Sequence, residues 1–189
     1  MKRFQRFALS CLILFVALFG SHSVWAKGFS ISSPQLKESG TMAVDQILNG
    51  FGCTGKNISP ELMWKNPPAG TKSFAVTVYD PDAPTGSGWW HWVIFNIHAD
   101  VRRLPADAGN MDLSLAPKGS IQSMTDFGKP GYGGACPPKG HGPHRYIFTV
   151  FALDVESLAL DRSSTAAMVG FHLNQHALDK ARITVIYSR

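Results

Sequence analysis

The residues best suited to chemistry lie in two short polar segments rich in proline and glycine. The first is Asp80-Pro81-Asp82-Ala83-Pro84, and His91 follows it seven residues later. The second segment, residues 137–146, contains His144 and Tyr146. Imidazole and phenol groups donate hydrogen bonds, and carboxylates hold imidazoles in a fixed orientation. Because proline and glycine fix the direction of the backbone, the two segments predict a stiff pocket for an anion at the edge of a β-structure.

Apolar segments bounded by turn residues predict the strands that must position these groups. They are rich in Val, Ile, Phe, Trp and Tyr, and they span residues 29–32, 72–80, 89–97, 146–153 and 183–187. Apolar spacing and nearby serines predict a helix over residues 163–180, with Ala167, Phe171, Asn174 and Leu178 on one face. Residues 105–134 have few apolar side chains and predict a long loop. A turn-rich, mainly β protein is therefore expected.

The polar residues are expected to differ in direction. His144 and Tyr146 are two apart in a strand, so their side chains face the same side, and Arg145 points away from Tyr146 into a structural pair. Asp80 and Asp82 are expected to point to opposite sides of their run. Only one of the two acids would then face the pocket, and the other would fix the loop through backbone N–H groups.

Several histidines also have a plain structural interpretation. His91, between two tryptophans, suits either a pocket wall or a core histidine bonded to a backbone carbonyl. His172 and His176 have the i, i+4 spacing of zinc sites, but the absence of an adjacent Glu and of a third ligand favours a packed or solvated helix face. His141 is expected to be a loop residue. The sequence therefore assigns no metal ligand.

Residues 1–26 have the order of a cleaved secretory signal. Lys2, Arg3 and Arg6 precede an apolar run, and small residues lead to a cleavage position after Ala26. The run is short for a membrane span, which needs about 20 residues. We therefore expect a single domain over residues 27–189 that lies in the periplasm without a stable membrane anchor.

Export bears on the cysteines and on the charge. Cys53 and Cys136 remain after cleavage, and an oxidising compartment favours a disulfide between them; the alternative is two buried free thiols. Residues 27–189 have 15 basic and 13 acidic residues, so the net charge falls from +5 for the whole chain to +2. That small surplus does not favour a nucleic-acid partner, and no cofactor motif is present.

Three motifs together resemble the phosphatidylethanolamine-binding protein family, also called the Raf kinase inhibitor-like family. Residues 57–64, Asn-Ile-Ser-Pro-Glu-Leu-Met-Trp, are similar to its early Asn-x-Ser-Pro-x-Leu-x-Trp segment. Residues 80–84 match its central motif, and residues 142–146 match Gly-x-His-Arg-Tyr. The details are similar to the bacterial periplasmic branch. The resemblance implies one domain, a two-sheet antiparallel β-sandwich with a Greek-key element and a helix near the C-terminus.

The resemblance also assigns the site. The family's ligand-binding positions fall on Asp80, Asp82, Pro84, His91, Pro138, His144 and Tyr146. The implied ligand is a phosphorylated headgroup or a similar small anion, bound without a cofactor or metal. Cys136 stands where animal members have glycine, so its side chain or its disulfide would reshape one wall of the pocket.

The sequence thus predicts an exported soluble protein that binds a small anion. One alternative is a protein-interaction modulator that acts on a bacterial or host partner, as the kinase-inhibitor name of the family implies. A second alternative is a metal-dependent hydrolase that uses the same polar groups. Because the motifs contain no activated nucleophile, binding is preferred to catalysis. The oligomeric state stays open, and a homodimer is possible.

Overall fold

A computed structural model describes residues 28–189, and the predicted signal over residues 1–26 lies outside the described residues. These residues form ten strands, one α-helix and a 3₁₀ turn. In chain order they are β1 (Ser30–Ser32), the 3₁₀ turn (Val44–Gln46), β2 (Asn49–Gly50), β3 (Cys53–Thr54), β4 (Leu62–Lys65), β5 (Ser73–Asp80), β6 (Trp89–His98), β7 (Arg103–Leu104), β8 (Ile121–Gln122), β9 (His144–Leu153), α1 (Ala166–His176) and β10 (Ala177–Tyr187).

The strands pair antiparallel in two main sheets. The larger has the order β10-β9-β5-β6-β8, the smaller has the order β1-β4-β7, and β2 and β3 form a separate ribbon. This mainly β architecture with one helix confirms the predicted fold class. Among residues 28–189, we find no helix that combines the length and apolarity needed to cross a bilayer.

The central strands are apolar on both faces because the large sheet lies between two layers. On one face, Phe74, Val76 and Val78 of β5 join the core against the small sheet, which contributes Leu62 and Trp64. On the other face, a second cluster packs against the helix; its members include Ala75, Val93, Phe95, Phe151, Val169 and Leu173. A sheet covered on both faces has near-continuous apolar strands rather than alternating ones. This burial explains why the strand predictions are accurate in the middle of the chain.

The predicted helix is wrong at its end and in its buried face. Thr165 caps α1 by accepting a hydrogen bond from the Met168 backbone N–H at 3.2 Å. The helix ends at His176, and residues 177–180 begin β10, which pairs with β9. The helix buries Ala166, Val169 and Leu173, whereas Phe171 is 59% exposed. The predicted 105–134 loop also contains β8, which pairs with β6.

Candidate functional site

Three adjacent strands of the large sheet bring the polar segments together. β5 ends at Asp80, and its antiparallel neighbours β6 and β9 begin beside that end, with Asp80 opposite Trp89 and Tyr79 opposite Ile147. A cavity of about 210 Å³ lies at this edge. Its lining residues are Phe51, Asp80, Ala83, Pro84, Thr85, Trp89, His91, Phe127, Cys136, Pro137, Pro138, His144 and Tyr146. Of the seven predicted ligand-binding residues, all except Asp82 line this cavity.

The Asp80–His144 pair forms the buried polar centre of the cavity. The Nδ1–H of His144 donates to Oδ2 of Asp80 at 2.7 Å, and the two side chains are only 2% and 3% exposed. The other carboxylate oxygen of Asp80 accepts from the Asp82 backbone N–H at 2.8 Å. Both oxygens of Asp80 are therefore engaged, and the carboxylate fixes the orientation of the His144 ring.

His91 is both a buried histidine bonded to a backbone carbonyl and part of the pocket wall, the two roles that the sequence leaves open. Its Nδ1 lies 2.8 Å from the Gly133 carbonyl oxygen, which only accepts, so Nδ1 bears the proton and donates. Burial lowers the pKa of His91, so its ring is neutral at pH 7. Its Nε2 then has a free lone pair. His91 is thus bonded to a backbone carbonyl, as a core histidine would be, and it also lines the cavity.

Tyr146 presents a buried hydroxyl that no described residue satisfies. The residue is 1% exposed, and its Oη has no hydrogen-bond partner within residues 28–189. Burial first, and the negative charge of Asp80 second, raise the pKa of Tyr146, so the phenol keeps its proton. The ring also packs edge-on against His91, with centroids 5.1 Å apart. Tyr146 therefore offers an O–H donor inside the cavity, near the Asp80 carboxylate.

Asp82 departs from its assignment as a ligand-binding residue because it lies outside the cavity. It accepts from Arg145 three times: from the backbone N–H at 2.9 Å, from Nε at 2.9 Å and from Nη2 at 2.7 Å. These bonds, chiefly the side-chain hydrogen bond, lower the pKa of Asp82 to about 2. Asp82 is thus a structural group that ties the turn after β5 to the start of β9, and Arg145 is its partner.

The mouth of the cavity has an aromatic and proline rim. Pro84 and Pro138 are exposed there, as the resemblance predicts for rim residues. Phe51 is 72% exposed and stacks on Phe127 with ring centroids 5.9 Å apart. Phe127 in turn packs edge-on against Trp89 at 5.4 Å. The aromatic side chains form a continuous wall from the buried interior to the surface.

The turn that presents Phe51 is held from two sides. Cys53 forms a disulfide with Cys136, as the sequence predicts. This bond joins the turn to the segment that contains Pro137 and Pro138. Arg189 donates from Nη1 to the Gly52 carbonyl at 2.9 Å and from Nε to the Pro137 carbonyl at 2.6 Å. Phe51 itself adopts a φ of 50°, which non-glycine residues rarely do. A disulfide and hydrogen bonds from Arg189 therefore hold this part of the rim in place.

Phe51, Phe127 and His141 belong to this region but are not predicted by the sequence. Each aromatic residue is isolated in a turn-rich stretch, which carries no site signal. His141 lies in a loop, as expected, but its Nδ1 is 2.7 Å from Nε2 of His144. Its position three residues before His144, between two glycines, is the one feature of the sequence that points to this contact.

The helical histidines are separate from this site. His176, the last residue of α1, pairs with Asp154 at 3.0 Å, and neither residue lines the cavity. His172 packs edge-on against its neighbour Phe171. Within residues 28–189, we find no group of three His, Cys, Asp or Glu side chains arranged to hold a metal ion.

Known proteins with similar sequences and structures place this chain in a family. The family model for phosphatidylethanolamine-binding proteins matches residues 32–188. The UPF0098 protein YbcL of Escherichia coli K12 is 49% identical over 172 residues, which cover 91% of this chain and 94% of YbcL. The UPF0098 protein YbhB of the same organism is 53% identical over 156 residues, which cover 82% of this chain and 98% of YbhB.

Solved structures agree with the sequence matches. The crystal structure of Escherichia coli YbcL, described as a new member of the mammalian PEBP family, matches with a TM-score of 0.84 and 50% identity over 85% of this chain and 98% of that one. A homologue from Chlamydia trachomatis, CT736, matches with a TM-score of 0.70 and 25% identity over 85% and 97% of the two chains. This chain therefore belongs to the phosphatidylethanolamine-binding protein family, and that membership supports a binding protein of this kind.

Proposed function

We propose that the cavity binds a small phosphate-like anion through His144, Tyr146 and His91. The observation that supports this proposal most directly is the buried Tyr146 hydroxyl, which lacks a partner among the described residues. A buried donor without an acceptor costs about 1–3 kcal/mol. Of the four buried side-chain atoms without a partner in residues 28–189, only the Tyr146 hydroxyl belongs to a residue that lines the cavity. An anion oxygen is the natural acceptor for this O–H, since hydrogen bonds to charged groups are stronger than neutral ones.

The charge of the cavity favours an anion once His144 is protonated. The Asp80 carboxylate alone would repel a phosphate, but a protonated His144, whose Nδ1 lies 2.7 Å from that carboxylate, would neutralise it. His91 lines the cavity with its Nδ1–H bonded to Gly133, so its Nε2 lone pair would accept a hydrogen bond from a protonated phosphate oxygen or gain a proton when the anion binds. Affinity should therefore be higher at lower pH, because a protonated His144 is the better donor to an anion.

The size of the cavity limits the ligand. A volume of about 210 Å³ is smaller than the roughly 300–1,000 Å³ of pockets for drug-sized ligands. It suits a phosphate with a short substituent. The family's name supports the headgroup of phosphatidylethanolamine as one such ligand, and inorganic phosphate provides the same charged group without the amine.

We prefer binding to catalysis for this site. Cys136 lines the cavity, but its sulfur is in the disulfide and is not a nucleophile. The imidazoles of His91 and His144 instead suit static recognition of an anion. Export is part of the same proposal: the signal-like order of residues 1–26 and the Cys53–Cys136 disulfide both fit an oxidising compartment. N-terminal sequencing of the protein from the periplasmic fraction should give a start at Lys27, and an intact Met1 would contradict export.

Calorimetric titration with phosphate and with phosphoethanolamine tests the binding proposal. Both should bind wild-type protein in the presence of a chelator, and more tightly at pH 6 than at pH 8. The double variant Asp80→Asn/His144→Gln removes both charges of the buried pair, so neither is left alone in the interior. We expect it to weaken binding at least about tenfold, the effect of losing one charged hydrogen bond.

The chain offers a matched control for this variant. Asp154 and His176 form a second Asp–His pair, 3.0 Å apart and more exposed, away from the cavity. Asp154→Asn/His176→Gln should bind both ligands as wild type does. Failure of wild type to bind either anion would contradict the proposal. Binding only when a divalent metal is added would also contradict it and would favour a metal-dependent site.

A further inference from the structure

His141 contacts Nε2 of His144, the nitrogen that is not bonded to Asp80. The two rings lie with centroids 5.0 Å apart and planes at 65°, and Nδ1 of His141 is 2.7 Å from Nε2 of His144. The other nitrogen of His144 is already committed to Asp80. His144 therefore has no nitrogen left for a ligand while this contact lasts.

The contact accommodates one proton. A hydrogen bond between two imidazole nitrogens requires one N–H and one lone pair. Either His141 donates to a neutral His144, or a charged His144 donates to a neutral His141. When both rings are charged, two N–H groups face each other across 2.7 Å and repel, so the pair must separate.

The loop of His141 allows that separation. His141 is exposed, and it lies between Gly140 with φ 77° and Gly142 with φ 94°. Added Cβ atoms at these two glycines would meet nothing within 4 Å. The loop is instead held at the backbone, where Gly140 donates to the Arg189 carbonyl at 2.9 Å. The His141 ring can thus turn outward without disturbing buried packing.

We propose that His141 is a further specificity-determining residue of the anion site: it covers the donor of His144, and phosphate binding requires its displacement. This inference rests on the proposed function. It makes phosphate compete with His141 for Nε2 of His144, because that nitrogen cannot bond both at once and Nδ1 is bonded to Asp80.

Other charged groups around the pair do not replace this role. Asp80, His91 and Tyr146 face His144 from the three strands that form the cavity. Asp82 and Arg145 are paired with each other outside it. Lys139 is exposed in the same loop as His141. Of the histidines in this group, His141 alone is both exposed and in contact with His144.

The test compares phosphate binding by wild type, His141→Ala and the control His172→Ala at pH 8.0 and pH 5.5. At pH 8.0, His141→Ala should bind phosphate about 2- to 12-fold more tightly than wild type, since a competing hydrogen bond is removed. At pH 5.5 the difference should narrow, because a proton on each ring leaves the contact without the lone pair that it needs. His172→Ala should match wild type at both pH values.

Two results would overturn the inference. Weaker binding by His141→Ala at both pH values would make His141 a direct donor to the anion. Unchanged binding at pH 8.0 would mean that the contact does not limit access. If wild type itself binds no phosphate, the proposed function fails. The contact between His141 and His144 is then tested by ¹⁵N spectra of the imidazole rings. His141→Ala should shift the His144 signals, and unchanged spectra would refute the contact.

Discussion

Tyr146→Phe should stabilise the protein while it weakens anion binding. The substitution removes one oxygen atom from a residue that is 1% exposed and leaves the ring packing in place. No described residue accepts a hydrogen bond from that hydroxyl. Since an unsatisfied buried polar group costs about 1–3 kcal/mol, the variant should gain about 1–2 kcal/mol in free energy of unfolding. For a domain of this size, that is an increase in Tm of roughly 2–8 °C.

The same substitution should reduce affinity for phosphate. If the hydroxyl donates to an anion oxygen, its removal loses a hydrogen bond to a charged group, worth about 1.5–3 kcal/mol. Kd should therefore rise by roughly 10- to 150-fold. A gain in free energy of unfolding together with a loss of phosphate affinity is the result expected when a binding group reduces the stability of the fold.

Tyr132→Phe is the matched control. Tyr132 is also buried, but its hydroxyl donates to the Gln46 carbonyl at 2.9 Å, and the residue does not line the cavity. Its loss should destabilise the fold by about 1 kcal/mol and leave phosphate binding unchanged. The assays are urea unfolding and calorimetric titration. If Tyr146→Phe instead loses stability as Tyr132→Phe does and binds phosphate like wild type, the hydroxyl is not a ligand donor.

Two further predictions concern the frame of the pocket. The disulfide closes a loop with a sequence separation of 83, so Cys53→Ser/Cys136→Ser should lower the free energy of unfolding by up to about 4.5 kcal/mol, measured with denaturant; an unchanged midpoint would contradict this. The Asp82 carboxylate has its pKa lowered from 3.8 to about 2, so its pairing with Arg145 stabilises the fold above pH 3.8 and is lost as the pH falls through about 2. Asp82→Asn should therefore be less stable than wild type at pH 6 but not at pH 2, and a constant difference across this range would argue against the pair.

Burial decided how well the sequence predicted each element. The strands β5, β6 and β9 are apolar on both faces and bounded by proline or glycine, so they were predicted to within about two residues. The end of the helix was not predictable in the same way. Leu178 continues the helical spacing, yet residues 177–180 gain backbone pairing with β9. A tertiary strand pairing thus overrode a local pattern.

The site shows the same division. The motifs predict that Asp80, His91, His144 and Tyr146 line one pocket, and all four line the same cavity. They do so because the motifs lie at the adjoining ends of neighbouring antiparallel strands. The contact between His141 and His144 depends on the conformation of a glycine-flanked loop. Phe51 depends on a left-handed turn held by residues far away in sequence. Neither conformation follows from residue type or spacing.

Asp80 and Asp82 do point to opposite sides, but strand alternation is not the reason, because residues two apart on an unbroken strand face the same side. β5 ends at Asp80 and the chain turns there, so Asp82 faces outward. Strand β9 alternates normally, with His144 inward and Arg145 outward. Two acid–base pairs therefore lie on opposite sides of one strand junction, each with a contact of 2.7 Å. The outer pair, Asp82 and Arg145, fixes the position of the turn after β5 relative to β9. That position also places Asp80 beside His144 on the inner side.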